Sequence, residues 1–299
     1  MWASAFQGGD MVELRVAGRV VAEYVVEPDV DPKHGPRPYL HPVRTLGGTT
    51  VTDVLPEDHR WHLGVSVALQ DVNGTNLWGG RTYVRDAGYT WLDDHGRIAH
   101  EAWLPPVSPS PSSPVGPSSP SSPVGTDGPD GQDGTRLAER LLWLDPAGET
   151  LLVEERTLVA APASRGWTLD VAFTLTAPPD AGVTLGSPAT NGRPGGAGYG
   201  GFFWRLAPGL PDVFTSTVEG EEKCNGSTDP WLAVRGEGYT LVFTGLAGDD
   251  HWFVRAADYP GVCAALAWEH PLAIPAGGTL SRRYRVLVAD GALDRETIQ

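Results

Sequence analysis

Residues 143–159, WLDPAGETLLVEERTLV, and 167–177, WTLDVAFTLTA, decide the fold. The first stretch reads as strand, tight turn, strand. Asp145-Pro146-Ala147-Gly148 carries turn chemistry, with a glycine able to take positive φ. The second places Trp167, Leu169, Val171, Phe173 and Leu175 on alternate positions. A period of two is that of a strand with one buried face. No long segment of the chain repeats apolar residues at helical spacing. Only the C-terminal GALDRETIQ and the stretch after Pro260 are candidates for short helices.

The same style extends in both directions. MVELRVAGRVVAEYVVE (11–27), HLGVSVALQDVNG (62–74) and TYVRDAGYTWLDD (82–94) lie upstream; YTLVFTGL (239–246), HWFVRAA (251–257) and LSRRYRVLVADG (280–291) lie downstream. The 38 glycines and 27 prolines fall largely between these runs and punctuate them. Many short strands separated by turn signals predict an all-β protein, a large antiparallel sandwich. There is no βαβ alternation, GxGxxG or P-loop, which argues against a nucleotide fold.

One segment breaks the pattern. From Pro105 to Thr135 the chain reads PPVSPSPSSPVGPSSPSSPVGTDGPDGQDGT, with no aromatic residue and SSPVG twice. Such a composition buries too little apolar surface to offset ordering entropy, so a disordered tether is expected. Strand-like segments on both sides make it an insertion within a single domain spanning 1–299, not a linker between two. The flanking strands, ending near Trp103 and starting near Arg136, are then expected to be antiparallel neighbours.

With 37 acidic against 22 basic residues the net charge is -15. That surface repels phosphate backbones and anionic lipid, so neither nucleic acid nor membrane is expected as a partner. No stretch approaches 18 uninterrupted apolar residues, as a membrane-crossing helix requires. The N-terminus shows no basic region followed by an apolar run, and a cytoplasmic location is expected. Cys224 and Cys263, far apart, are expected as reduced thiols.

Chemistry concentrates upstream. Six of the eight histidines fall between 34 and 100, and the densest group is PEDHRWH, with His59 and His62 three apart. Histidine suits proton transfer near neutral pH, or metal ligation through neutral imidazole. Asp58 is placed to orient one ring. Turn capping is the structural alternative. His41, His59 and His62 are the metal set if a metal is present, although the helical HExxH context is missing and no cofactor is expected. Eleven tryptophans are many for this length, and Trp61 and Trp78 sit beside Gly or His. Indole faces stack on sugar C–H faces, or simply fill a core. The glycine-rich run 192–205 either approaches a ligand or makes a wide turn, with Tyr199 and Arg205 as contacts. Glu155 shares a strand face with Leu151, Val153, Thr157 and Val159, and a carboxylate there is costly unless paired. The other register turns Glu154 inward, with Leu152 and Leu158.

The string PYLHPVRTLGGTTVTDVLPEDHRWHLGVSVALQDVNGTNLWGG (38–80) resembles the family labelled PmoA-like, through Tyr39, His41, Pro42, Asp58, His59, Trp61, His62, Asn73, Gly74 and Trp78-Gly79-Gly80. Glu155-Arg156-Thr157 and Tyr199-Gly200-Gly201…Arg205 also fit. The label names a methane oxygenase subunit, a membrane protein, which the absence of a spanning apolar stretch contradicts. What the resemblance implies instead is a supersandwich similar to galactose mutarotase-like proteins, and a place in bacterial sugar catabolism. The expected ligand is a small carbohydrate. From residue chemistry, His59 or His62 is the proton donor, Glu155 the base and His41 a further polar group. Tyr39, Trp61, Asn76, Trp78, Tyr199 and Arg205 are the expected substrate contacts. A non-catalytic sugar-binding module is the alternative.

Overall fold

A computed structural model describes residues 11–105, 134–257 and 259–298. The expected tether lies, from 106 to 133, outside the described residues. Strands are numbered along the chain. A seven-stranded antiparallel sheet runs in the order β1 (Met11–Val16), β2 (Arg19–Val25), β3 (Tyr39–Val43), β4 (Val65–Ala68), β13 (Gly201–Arg205), β18 (Gly261–Ala265), β17 (His251–Arg255). An eight-stranded sheet runs β14 (Asp212–Thr215), β15 (Trp231–Gly236), β16 (Tyr239–Thr244), β20 (Thr279–Asp290), β11 (Gly166–Thr176), β10 (Thr150–Ala163), β9 (Thr135–Leu144), β8 (Arg97–Trp103). Two small sheets hold β5 (Asp71–Val72), β12 (Val183–Gly186) and β19 (Leu272–Ile274), and β6 (Thr82–Val84) with β7 (Gly88–Thr90). The protein is the large antiparallel β-sandwich its alternation predicts.

The two large sheets pack face to face. Leu14, Leu40, Val67, Phe202, Trp204 and Trp252 of the first meet Trp143, Leu158, Trp167, Phe173, Phe243 and Tyr284 of the second in one continuous core. Phe202 stacks on Tyr284 at 5.5 Å between ring centroids, and Trp204 meets Phe243 edge-on at 5.6 Å. The decisive stretch behaves as its pattern requires. β9, the 145–149 turn and β10 form a hairpin, with Asp145 accepting from Glu149 N and Gly148 at φ 89°. β11 then lays its five alternating apolar side chains against the core.

β8 pairs with β9, and Trp103 stands opposite Glu139, so the chain leaves and re-enters at one edge of the sheet across the 105–135 segment. The stretch after Pro260 is strand β18, not a helix. It lies between β13 and β17 with all five residues buried, where ladder partners on both sides outweigh any local helical preference. Among the described residues two α-helices of one turn are present, Glu221–Cys224 and Arg295–Ile298, the second within the C-terminal candidate. Among the described residues no helix is long and apolar enough to cross a membrane, which says nothing of β-barrels.

The second register holds on β10. Glu154 is buried and Glu155 is exposed, which corrects the expectation that Glu155 faces inward. Arg156 lies on the same buried face, and both oxygens of Glu154 are used. Oε1 accepts from Arg156 Nε at 2.6 Å, and Oε2 accepts from Arg156 Nη2 at 2.9 Å and from Trp143 Nε1 at 2.7 Å. Burial opposes the charge on Arg156, but Glu154 outweighs it and raises the guanidinium above its usual value. Tyr24 accepts from Arg156 Nη1 and donates to Glu139, joining the two sheets.

Candidate functional site

The site lies on the face of the seven-stranded sheet that turns away from the core. Strand alternation puts it there. Phe202 and Trp204 of β13 point into the sandwich, so Phe203 points out; Trp252 and Val254 of β17 point in, so Phe253 points out. Phe203, Phe253, Cys263, Ala265 and Ala68 make a second apolar cluster on this outer face, joined by Trp78 with Trp61, Tyr199 and Trp268 packed against it. Loops from four parts of the chain wall a cavity of about 500 Å³ above this cluster.

Residues 55–62 form the first wall. Leu55 N bonds to His62 O, His59 N to Pro56 O and His62 N to His59 O, closing the loop on itself. Leu55 takes φ 50°, a left-handed conformation uncommon outside glycine. The loop is therefore held in one shape, which presents Asp58, His59, Trp61 and His62 to the cavity.

The WGG turn forms the second. The buried Asn76 accepts from Trp78 N and Gly79 N through Oδ1, and donates to Gly80 O and Thr82 Oγ1 through Nδ2. Gly80 takes φ 72°, and a Cβ there would sit 2.5 Å from the Trp61 indole, so this glycine makes room for the tryptophan. Arg37, fully buried, ties both walls together. It donates to Trp61 O, Trp78 O and Gly35 O and to Ser66 Oγ, at 2.9–3.1 Å. Burial pushes its guanidinium down to about 9, which still leaves it charged at neutral pH. The aromatic rings interlock: Trp78 lies 4.8 Å from Phe203 and 5.0 Å from Tyr199, and Tyr199 lies 5.5 Å from Phe253.

The two histidines sit 4.8 Å apart by ring centroid, in unlike settings. His62 is 6% exposed and ringed by Trp61, Trp78, Phe203 and Tyr259. Burial pushes its imidazole well below the usual value, and Arg205, His59 and Arg37 act in the same direction. His62 is therefore neutral at pH 7. Arg205 Nη1, a donor only, lies 3.3 Å from His62 Nδ1. Nδ1 accepts, so Nε2 carries the hydrogen. His59 is the reverse case. Its Nδ1 lies 2.9 Å from Asp58 Oδ2, which places the hydrogen on Nδ1 and leaves Nε2 as an acceptor in the neutral ring. That bond also holds the Asp58 carboxyl below its usual range.

A family model matches residues 11–299. The chain belongs to DUF6807, a family of unknown function. No curated protein matches it. Two solved structures are similar to this DUF6807 chain at low levels. One is an alpha-galactosidase from Lactobacillus brevis, 10% identical, with a TM-score of 0.42 over 91% of this chain and 38% of that one. The other is a heparan sulfate lyase HepC mutant from Pedobacter heparinus, 12% identical, with a TM-score of 0.24 over 52% of this chain and 21% of that one. The DUF6807 chain thus spans well under half the length of either.

Of the residues singled out in the sequence, His59, His62, Trp61, Trp78 and Tyr199 line the cavity. Arg205 touches it through His62. Asn76 lies behind the WGG turn and shapes it. His41 and Tyr39, on β3, are not among the lining residues; His41 Nδ1 is 2.9 Å from Thr52 Oγ1, and burial lowers its pKa. Glu155 is exposed on the other sheet. Among the described residues no three His, Cys, Asp or Glu side chains converge as metal ligands, so His41, His59 and His62 are not assembled as a set. Both cysteines are free and buried, and burial pushes Cys224 up to about 11 and Cys263 to about 12.

Sequence reasoning passed over Arg37, Arg81, Tyr89, Arg193, Arg255 and Tyr259. Arg193 stands inside the glycine-rich run 192–205. The others belong to no local pattern.

Proposed function

We propose that the cavity binds a sugar or glycoside and that the protein is an enzyme of sugar catabolism working by proton transfer. One observation carries this: two adjacent imidazoles of opposite polarity, set among aromatic rings. His62 offers Nε2–H as a hydrogen-bond donor, and His59 offers Nε2 as an acceptor backed by Asp58. Adjacent groups whose surroundings drive them to opposite roles are what acid–base chemistry needs. Indole and phenol faces suit sugar C–H faces, and a cavity of this size suits one or two rings.

In this mechanism His59 Nε2 removes a proton from the ligand, from a hydroxyl or from a carbon beside a carbonyl. The imidazolium so formed is stabilised by Asp58. His62 Nε2–H donates to the ligand oxygen on which charge develops, as a preorganised donor. Arg205 holds the tautomer of His62 and is a positioning residue. Glu155 has no part. Ring opening, epimerisation, elimination and hydrolysis all draw on this pair. The proposal includes a single domain with the 105–135 segment as an insertion, in the cytoplasm.

A non-catalytic sugar-binding module is the second reading, favoured by the position of Glu155 outside the cavity. One experiment separates the two. A panel of glycosides and keto-glycosides is incubated with the protein in deuterium oxide and followed by NMR. Deuterium incorporation or conversion, abolished in His59→Ala while binding persists, supports the enzyme. Sugars bound but returned unchanged and unlabelled leave only the binding module. No binding by any sugar removes both.

A further inference from the structure

We infer that the ligand of this cavity carries a negatively charged substituent, a carboxylate, phosphate or sulfate on the sugar, held by Arg81, Arg193 and Arg255. The sugar ring rests on the function proposed above; the anion does not.

The sign of charge carries the argument. The chain as a whole has 37 acidic and 22 basic residues. Among the described residues lining the cavity the balance reverses, with three arginines and one carboxylate. That carboxylate, Asp58, is hydrogen-bonded to His59. Arg81 and Arg193 have no carboxylate within ion-pair distance among the described residues, and Arg255 has Glu221 only at 3.9 Å. Cations left without counter-ions in a concave, apolar-walled site focus a positive potential where a ligand enters.

The guanidinium geometry points the same way. Each guanidinium carbon lies over an aromatic ring: that of Arg81 is 6.0 Å from the Trp91 centroid, that of Arg193 4.8 Å from Tyr89 and that of Arg255 4.4 Å from Phe253. A cation is favoured over an aromatic face, and that contact uses none of its N–H donors. The Arg81 guanidinium makes no hydrogen bond among the described residues. Arg193 uses Nη1 on Tyr89 Oη, and Tyr89 is in turn 3.0 Å from Tyr199 Oη. Arg255 uses Nη1 on Val254 O and Nη2 on Gly196 O. The donors left over, chiefly on Arg81 and Arg193, are of the kind that carboxylate, phosphate or sulfate oxygens accept from. A neutral sugar alone needs no such concentration of charge.

The test is calorimetry on the full-length protein with matched ligands: methyl glucoside, methyl glucuronide, a glucose phosphate and a glucose sulfate, with inorganic phosphate and sulfate as ring-free controls. At least one anionic sugar is expected to bind roughly tenfold to a hundredfold more tightly than the glucoside, as for one or two charged hydrogen bonds. That preference is expected to shrink as salt is raised. Arg81→Ala removes an exposed side chain with no ion pair among the described residues, so folding is not at stake. It and Arg193→Gln are each expected to reduce the anionic preference, read as the ratio of anionic-sugar to glucoside affinity in the same variant. Which of the three anionic sugars binds best identifies the substituent. Equal affinity for glucoside and anionic sugars, insensitive to salt, overturns the inference and leaves the sugar reading intact. Tight binding of the free inorganic anions with no gain from the ring supports the arginine subsite and overturns the sugar reading. Retention of the full anionic preference in both variants overturns the assignment to these arginines.

Discussion

Replacing Glu154 and Glu155 one at a time by alanine tests the register of β10. Glu154 accepts three hydrogen bonds in the sandwich core, at 2.6, 2.7 and 2.9 Å, two of them from Arg156. Bonds to a charged group contribute about 1.5–3 kcal/mol each, so the gross loss in Glu154→Ala is about 5–9 kcal/mol. Part is offset, because the carboxylate no longer has to be stripped of water, a cost of several kcal/mol. What remains is a buried Arg156 whose nearest partner is Tyr24 Oη at 3.1 Å, with Glu139 beyond it. Losing one member of a buried pair costs about 3–5 kcal/mol, and the Tyr24–Glu139 relay puts the expectation near the lower end. For a domain of this size that lowers Tm by roughly 10 °C. Glu155 is exposed, so its alanine variant is expected within about 0.5 kcal/mol of the parent. Urea denaturation followed by tryptophan fluorescence and by circular dichroism reads both. A Glu155→Ala variant less stable than Glu154→Ala, or a Glu154→Ala variant within about 1 kcal/mol of the parent, refutes the reasoning.

Other expectations concern the site and the insertion. His62 is held below the ordinary histidine value of 6.5, so in acid the unfolded chain takes up the proton first. Its stabilising contribution is present above about pH 6.5 and is lost as pH falls toward the folded-state value; His62→Gln is expected to flatten that part of the stability–pH curve, with His34 and His41 leaving a residual slope. An unchanged slope would rule His62 out as its source. Gly80→Ala drives a Cβ into the Trp61 ring from a left-handed backbone, and a loss of about 1–3 kcal/mol with a shifted tryptophan emission is expected; parent-like stability and emission would contradict the packing described. Deleting 107–133 joins two strands that already pair at a sheet edge, so the calorimetric midpoint is expected to stay within a few degrees of the parent, and a chain that no longer folds would show the segment to be structural.

The strands were legible because alternation is local. Trp167 to Leu175 bury every second residue whatever lies on the far side of the core, and Asp145 to Gly148 turn the chain by their own backbone preferences. The histidine pair was legible too, because His59 and His62 share one loop. Beyond that, the tertiary structure decided. On β10, apolar residues at 151, 152, 153 and 158 occupy both faces, so period two permits two registers; only pairing with β9 and β11, and the donors of Arg156 and Trp143, select Glu154. His41 and Tyr39 stand close to the site in sequence but on β3, separated from β13, β18 and β17 by β4. The cavity wall is assembled from residues near 60, 80, 195 and 255, brought together by the ladder of the seven-stranded sheet. A cation's role there depends on which carboxylates the fold sets beside it. Arg37, spent on three backbone carbonyls, and Arg81, held over an indole and otherwise unpaired among the described residues, look alike in the sequence, and only the fold tells them apart.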